Sequence, residues 1–150
     1  MEKVKGVCAA FSAGVFLFIA SQAFGQADVL EKRQKAMKGN SAGAKAIKAA
    51  VEAKDYAAIE VKAKDIMSTA EKIPDLFPKG STKGKTKAKA EIWEKWDDFT
   101  KGASKLKTAS GDLAKAAAAK DHDKVEAGVK AVSGACGACH KAFRAEKYSE

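Results

Sequence analysis

The sequence has few of the residues that interrupt helices or build sheets. It has only two prolines among its 150 residues, and its aromatic residues are few. No long β-branched run with alternating polarity occurs in it, whereas alanine and lysine, which are both good helix formers, dominate. These scarcities argue against a sheet-based domain and predict an all-α one.

A membrane-spanning segment is also lacking, although the first residues are apolar. The start MEKVK is followed by GVCAAFSAGVFLFIA, which at about 15 residues is shorter than the roughly 20 that a spanning helix needs. A basic start, an apolar run and small residues at cleavage positions are the pattern of a secretory signal peptide. We therefore predict that residues 1–27 are removed, with Phe24 as the alternative new N-terminus to Asp28. The mature protein, 28–150, is then a single periplasmic domain without a membrane span.

Negative charge is in the minority, and the net charge at pH 7 is +9. Along the predicted helices the lysines alternate with Asp and Glu, which is typical of a solvated surface. An exported protein rarely meets nucleic acid, so no nucleic-acid partner is expected. A basic surface that steers an acidic redox partner is the alternative interpretation.

The two prolines, Pro74 and Pro78, lie in one long loop that divides the chain into halves. On each side, apolar residues recur every three or four positions, so each helix has one stripe directed at a shared interior. Asp55 and Asp121 are expected to cap the second and fourth helices. The short first and third connections make antiparallel neighbours, so the fold predicted is an up-down-up-down four-helix bundle. Its helices are A over 28–53, B over 55–73, C over 89–119 and D over 122–147.

The chemistry of the chain is concentrated in SGACGACHKAFR, residues 133–144. Cys136, Cys139 and His140 stand at positions i, i+3 and i+4 of helix D, so their side chains share the face that continues the apolar stripe. C-x-x-C-H is the attachment signature of c-type haem, since two thiols bond to the porphyrin vinyl groups and the next histidine reaches the iron. One covalent haem c is therefore predicted, with His140 as proximal ligand.

Other interpretations of the motif account for less of it. A structural zinc site needs four ligands, and the only other histidine, His122, is more than three helical turns away. A thioredoxin-like dithiol would need a preceding strand, and a plain disulfide leaves His140 without a role. The second axial position of the iron has three candidates, namely Met37, Met67 and His122. Of these, His122 is expected to be a solvated surface residue, and an inward methionine is otherwise a core filler.

The chain resembles the class II c-type cytochromes, which comprise cytochrome c′ and its low-spin relatives with methionine and histidine ligands. The resemblance covers essentially the whole mature chain and includes the placement of the C-x-x-C-H motif near the C-terminus. It rests on four segments: KRQKAMKGN, IPDLFPKGS, TKAKAEIWEKWDDF and CGACHKAFR. It implies an electron carrier with redox partner proteins and not an enzyme.

The resemblance also implies roles for single residues. Arg33 and Gln34 are expected beside the haem edge, with Arg33 paired with a propionate. Thr86 belongs to the loop segment that closes over the haem, although the neighbouring Lys85 stands where an acidic residue is frequent. Phe143 is expected to pack on the porphyrin.

Met37 determines which branch of the family the chain resembles more. The residue at this position is a non-bonding hydrophobe in most high-spin members, which bind nitric oxide or carbon monoxide at a vacant distal site. In the low-spin relatives it is the ligating methionine, and QKAMKGN resembles their pattern more closely. Met37 is therefore expected as the distal ligand, with high-spin cytochrome c′ as the alternative and a haem-free helical interaction module as a third hypothesis.

A homodimer through helices A and B is a further expectation from the family. Four small residues on these helices would permit close approach of two subunits: Ala42, Gly43, Ala46 and Ala57.

Overall fold

The computed structural model describes the backbone of residues 16–148 and the side chains of residues 27–148. Four long helices form the antiparallel up-down-up-down bundle that the periodicity predicts. Along the bundle, α2 packs against α1 and α4, and α4 packs against α5, whereas α1 contacts α5 only sparingly. The helices are α1 (Phe16–Glu52), α2 (Tyr56–Lys72), α3 (Glu91–Glu94), α4 (Trp96–Ala118) and α5 (His122–Phe143), with a 3₁₀ helix at Pro74–Leu76.

The described helices include none that is long and apolar enough to cross a bilayer. The basic start of the chain and Cys8 lie outside the described residues. Helix α1 begins at Phe16, upstream of the predicted mature start at Asp28, so it overlaps the predicted signal peptide. Removal of residues 1–27 stays a prediction.

Two aspartates cap the helices where the sequence places them. A side-chain oxygen of Asp55 accepts a hydrogen bond from the backbone N–H of Ala58 at 3.0 Å, and Asp121 does the same for Lys124 at 3.1 Å. Such caps satisfy backbone donors that have no partner within the helix. They allow the tight turns that make consecutive helices antiparallel.

The apolar stripes form the core, and the predicted stripe of α2 is the clearest case. Its members from Ile59 to Ile73 are at most 5% exposed. The stripe of α4 is interrupted by Ser110, which is 0% exposed and whose hydroxyl has no hydrogen-bond partner among the described residues. Alanine forms much of this interior, so the helices pack closely.

Helix C differs from its prediction, because it is broken at Lys95. The backbone there leaves the helical region (φ −118°, ψ 49°), and the short α3 before it is a separate turn. The Trp93 indole N–H donates to the carbonyls of Phe77 and Pro78, both at 3.0 Å, and thereby fastens α3 to the loop. A break changes the helical phase, so Trp96, which the stripe places inside, is 37% exposed.

Helix D also differs, since α5 ends at Phe143 and not at 147. The chain then turns to pair with the loop before α3. Lys89 N–H donates to the Phe143 carbonyl at 3.1 Å, and Ala145 N–H donates to the Lys87 carbonyl at 2.8 Å. This long-range pairing replaces the last turn that local periodicity predicts.

Candidate functional site

The two cysteines of the motif lie on the side of α5 that packs against the core. Both are half-buried, and neither is in a disulfide. Gly102 of α4 faces them, because a Cβ at that position would stand 3.5 Å from the Cys139 sulfur. Burial raises the pKa of both thiols, and the neighbouring Cys136 adds to the effect at Cys139. Two protonated, unpaired thiols thus share one helix face.

His140 follows the cysteines but lies at the edge of that face. The residue is exposed, whereas the prediction places it on the buried side with the cysteines. At about 100° per residue, His140 lies about 100° around the helix from Cys139 but only about 40° from Cys136, so it stands on the solvent-facing side of Cys136. Partial desolvation, and then the positive charge of Arg144, lower the pKa of the imidazole. The neutral ring, which is the form that binds metals, is therefore favoured.

Arg33 is a buried cation without a carboxylate partner among the described residues. It is 5% exposed, and its guanidinium lies 4.0 Å from the centroid of the Phe77 ring. Its Nε donates to the Leu76 carbonyl at 3.0 Å, and one terminal nitrogen donates to the Ser81 hydroxyl at 2.8 Å. Burial lowers the pKa of Arg33 to about 10. An uncompensated buried charge is costly, so an anionic group fits beside this residue.

Gln34 fastens the later part of the same loop to α1. Its side-chain amide donates to the Lys85 carbonyl at 3.3 Å. The neighbouring Thr86 is buried, and its hydroxyl accepts a hydrogen bond from Ala88 N–H at 3.1 Å. Gly84 comes so close to α1 that a Cβ there would stand 2.8 Å from a methyl carbon of Leu30. The structure thus brings Arg33, Gln34 and the loop before α3 together at one end of the bundle.

The two internal methionines differ in their surroundings. Met37 is half-buried on α1 and packs against the core, one helical turn after Arg33. The sulfur of Met67 lies 3.2 Å from the position that a Cβ of Gly111 would take, so Met67 fills the contact between α2 and α4. Both methionines thus pack inside the bundle, and Met37 lies on the helix that contacts α5 only sparingly.

Phe143 extends the site into an aromatic cluster. It is buried, and its ring meets Phe99 edge to face at a centroid distance of 5.4 Å. Phe99 in turn contacts Phe77 at 4.8 Å, and Phe77 is the ring on which Arg33 stacks. The residue after the motif and the buried cation are therefore joined through one packed cluster.

His122 lies far from this end of the bundle. Its Nδ1 is 3.4 Å from the Tyr56 hydroxyl, and its Nε2 is 3.8 Å from a Glu126 carboxylate oxygen. Its side chain is 41% exposed, so it lies at the surface while Tyr56 covers part of it. About 25 Å of helix separates it from Cys139, at a rise of about 1.5 Å per residue. His122 joins the two turns at the opposite end of the bundle.

Sequence reasoning missed the partners of Arg33. Leu76 contributes a backbone carbonyl, which no side-chain pattern can reveal. Ser81 lies 48 residues away along the chain and stands in a segment that reads as an ordinary loop. No pattern in the residues around Ser81 indicates that it pairs with an arginine on α1.

Comparison with known proteins covers nearly the whole chain. Residues 28–144 match the family model described as Cytochrome C′. Cytochrome c-556 of Agrobacterium fabrum is 33% identical over 145 residues, which is 97% of this chain and 98% of the relative. Cytochrome c′ of Pararhodospirillum photometricum is 35% identical over 118 residues, covering 77% of this chain and 94% of the relative.

Solved structures match the bundle as well. Cytochrome c′ from Thermochromatium tepidum superposes with a TM-score of 0.75 at 29% identity, covering 81% of this chain and 97% of the other. A cytochrome c′ described as having an unusual ligand-controlled dimer dissociation has a TM-score of 0.76 at 28% identity, with the same coverage of each chain.

Proposed function

Since this chain belongs to the cytochrome c′ family, we propose that it carries one covalent haem c and serves as a periplasmic electron carrier. The family implies the haem, and its members are generally non-enzymatic and typically periplasmic. The observation that carries the proposal is the C-x-x-C-H motif on α5, whose two thiols are unpaired and half-buried on the core side.

The residues at this end of the bundle fit a haem. Cys136 and Cys139 would hold the porphyrin through thioether bonds, and His140 would ligate the iron. The buried guanidinium of Arg33 lacks a carboxylate partner among the described residues and would pair with a propionate. Gln34 and Thr86 hold the loop over the same end, and Phe143 would contribute an aromatic wall.

Met37 would be the second protein ligand of the iron. When bound, the haem provides one-electron chemistry at its iron. A methionine thioether stabilises the ferrous state and raises the reduction potential. With His140 and Met37 both held by the bundle, the protein side of the site would change little between the two oxidation states. Little reorganisation then accompanies electron transfer, which suits a carrier.

Replacing the methionines one at a time tests this ligation. We expect Met37→Leu to convert a low-spin spectrum to a high-spin one, because leucine has no donor atom. Met67→Leu is the matched control, since Met67 packs on Gly111, and its spectrum should stay low-spin. Absorption spectra of the oxidised and reduced proteins distinguish the two states. A wild-type protein that is five-coordinate and binds carbon monoxide rapidly contradicts the carrier and identifies the gas-binding alternative.

A homodimer through α1 and α2 is the further part of the proposal. Ala42, Ala46 and Ala57 are exposed on these helices. Gly43, in contrast, is buried against Ile66 of the same subunit, where a Cβ would be 3.3 Å from that side chain, so its expected place at a subunit contact is wrong. The structural relative with ligand-controlled dimer dissociation supports a dimer in this family. Sedimentation should show a dimer that Ala46→Glu dissociates.

A further inference from the structure

The loop before α3 carries positive charge without intervening acids. Between Asp75 and Glu91 the sequence has five lysines and no acidic residue. We call residues 79–89 the lysine loop, after Lys79, Lys83, Lys85, Lys87 and Lys89. Lys79 and Lys85 are exposed.

Carboxylates pair with some lysines outside the loop in the described part of the protein. Examples elsewhere are Lys32 with Asp28 at 2.6 Å and Lys107 with Glu71 at 2.7 Å. Within residues 27–148, no ion pair is found for four lysines of the loop, namely Lys79, Lys85, Lys87 and Lys89. The ammonium of Lys87 donates instead to the Glu146 backbone carbonyl at 2.6 Å. Ion pairs within residues 27–148 therefore do not offset the positive charge of these four lysines.

Backbone pairing holds the lysine loop beside the proposed haem. Lys89 N–H donates to the Phe143 carbonyl at 3.1 Å, Ala145 N–H donates to the Lys87 carbonyl at 2.8 Å, and Ala88 pairs with Arg144. Phe143 follows His140 by less than one helical turn, about 4.5 Å along α5. A molecule bound to the lysine loop would thus sit next to the residue proposed to ligate the iron.

Tyr148 adds an aromatic contact to the same surface. The side chain is 51% exposed, and the ammonium groups of Lys87 and Lys85 lie 4.8 and 5.7 Å from its ring centroid. An exposed tyrosine surrounded by cations is typical of a protein interface, where tyrosine is frequently an energetic centre. The residues between the lysines are small or polar, whereas binding to a lipid surface usually requires an apolar face to insert. These features favour a protein over a membrane.

We propose that the lysine loop and Tyr148 form a docking surface for an acidic patch on a protein redox partner. The inference rests on the proposed role as an electron carrier. In the complex one electron passes between the partner and the haem iron, so that one centre is oxidised as the other is reduced, and no bond or proton is transferred. Charge complementarity accelerates the encounter and orients the partner toward this end of the bundle.

Paired charge reversals test the surface, with plant plastocyanin, an acidic blue-copper protein, as probe. The loop variant carries Lys79→Glu and Lys85→Glu. The control carries Lys48→Glu and Lys105→Glu, which replace exposed lysines of α1 and α4 that form no ion pair within residues 27–148. Both variants have the same net charge. Calorimetry measures binding, and stopped-flow absorbance measures electron transfer, at about 10 mM ionic strength, where the Debye length is about 30 Å.

We expect the loop variant to bind plastocyanin with at least tenfold lower affinity than the control, and to reduce it with an at least tenfold lower rate constant. Both differences should shrink at about 0.15 M salt. Tyr148→Ala should weaken binding at both salt concentrations, since its contact is not purely ionic. Equal losses in the loop variant and the control would overturn the proposal, because total charge would then explain the effect. Unchanged binding in the loop variant would overturn it as well.

Two further measurements distinguish a protein partner from a membrane, and a failure of the docking proposal from a failure of the carrier proposal. Vesicles of equal parts phosphatidylglycerol and phosphatidylcholine, bound at about 0.15 M salt by the wild type but not by the loop variant, would assign the surface to a membrane and overturn the proposal. Oxidation of the reduced protein by tris(phenanthroline)cobalt(III), a small cation, tests the carrier role alone. If neither the wild type nor either variant is oxidised, the proposed role as an electron carrier is refuted. A loss of plastocyanin binding confined to the loop variant would still support a surface that binds acidic proteins.

Discussion

At the scale of single residues, the Ser110 hydroxyl is buried in α4 without a hydrogen-bond partner. An unsatisfied buried polar group costs about 1–3 kcal/mol of stability. We expect Ser110→Ala to raise the free energy of unfolding by about 1 kcal/mol, because it removes that penalty and leaves the fit nearly unchanged. Ser104→Ala, an exposed position on the same helix, should change it by less than about 0.5 kcal/mol. Urea unfolding measures both, and a destabilised Ser110→Ala would contradict this assignment.

Arg33 is the residue whose charge should influence the haem most. A buried cation beside the haem stabilises the reduced iron, since reduction removes one positive charge from the site. We expect Arg33→Gln to lower the reduction potential, measured by spectroscopic redox titration. Lys35→Gln, two residues away and exposed, is the control and should shift the potential far less because solvent screens it. Equal shifts of the reduction potential in both variants would contradict the proposed position of Arg33 beside the haem.

The placement of side chains was predictable where a local sequence pattern determines it. The spacing of Cys136 and Cys139 predicts one shared helix face, and the structure has both on the core side. Contacts between distant segments were not predictable. The contact between His122 and Tyr56, which is 66 positions away, is one that no local pattern indicates.

At the scale of elements, the loop before α3 is held on α1 by a glycine as well as by side chains. Gly84 has φ +90°, and a Cβ there would meet Leu30, whereas Gly80 has φ +82° with nothing nearby. Gly80→Ala therefore measures the backbone strain alone. We expect it to cost about 1 kcal/mol, and Gly84→Ala to cost clearly more because the clash adds to the strain.

Urea unfolding of the two glycine variants separates these contributions. Adding Leu30→Ala to Gly84→Ala removes the clash, so the two changes should cost less together than the sum of their separate effects. Additive costs would show that the loop does not press on α1 at this point.

Element boundaries depended on more than periodicity. Asp55 and Asp121 begin their helices as predicted, because a cap is a local interaction. The prediction missed the break at Lys95, and it placed the end of the last helix at residue 147 and not at Phe143. Both are set by contacts across the loop, through the Trp93 indole and the pairing of Lys89 with Phe143. Local sequence does not specify such contacts.

At the scale of the whole molecule, the bundle itself followed from the sequence. Each helix buries one apolar stripe, and short capped turns make consecutive helices run antiparallel. The distribution of charge was not predicted in detail. The predicted alternation of lysine with acidic residues fails on α1, where no acidic residue stands between Glu31 and Glu52. The lysine loop likewise has no acidic residue in its sequence, and it reaches the C-terminal end of α5 only through tertiary pairing.

The attachment of haem to α5 is the central claim, and the mass of the exported protein tests it most directly. The protein is produced in cells with periplasmic haem-ligation machinery, unfolded in acidic solvent and weighed, beside a variant with Cys136→Ala and Cys139→Ala. We predict that the wild-type chain retains the added mass of one haem and its absorbance after unfolding, and that the variant retains neither. A wild-type chain with the mass of the polypeptide alone would contradict the account.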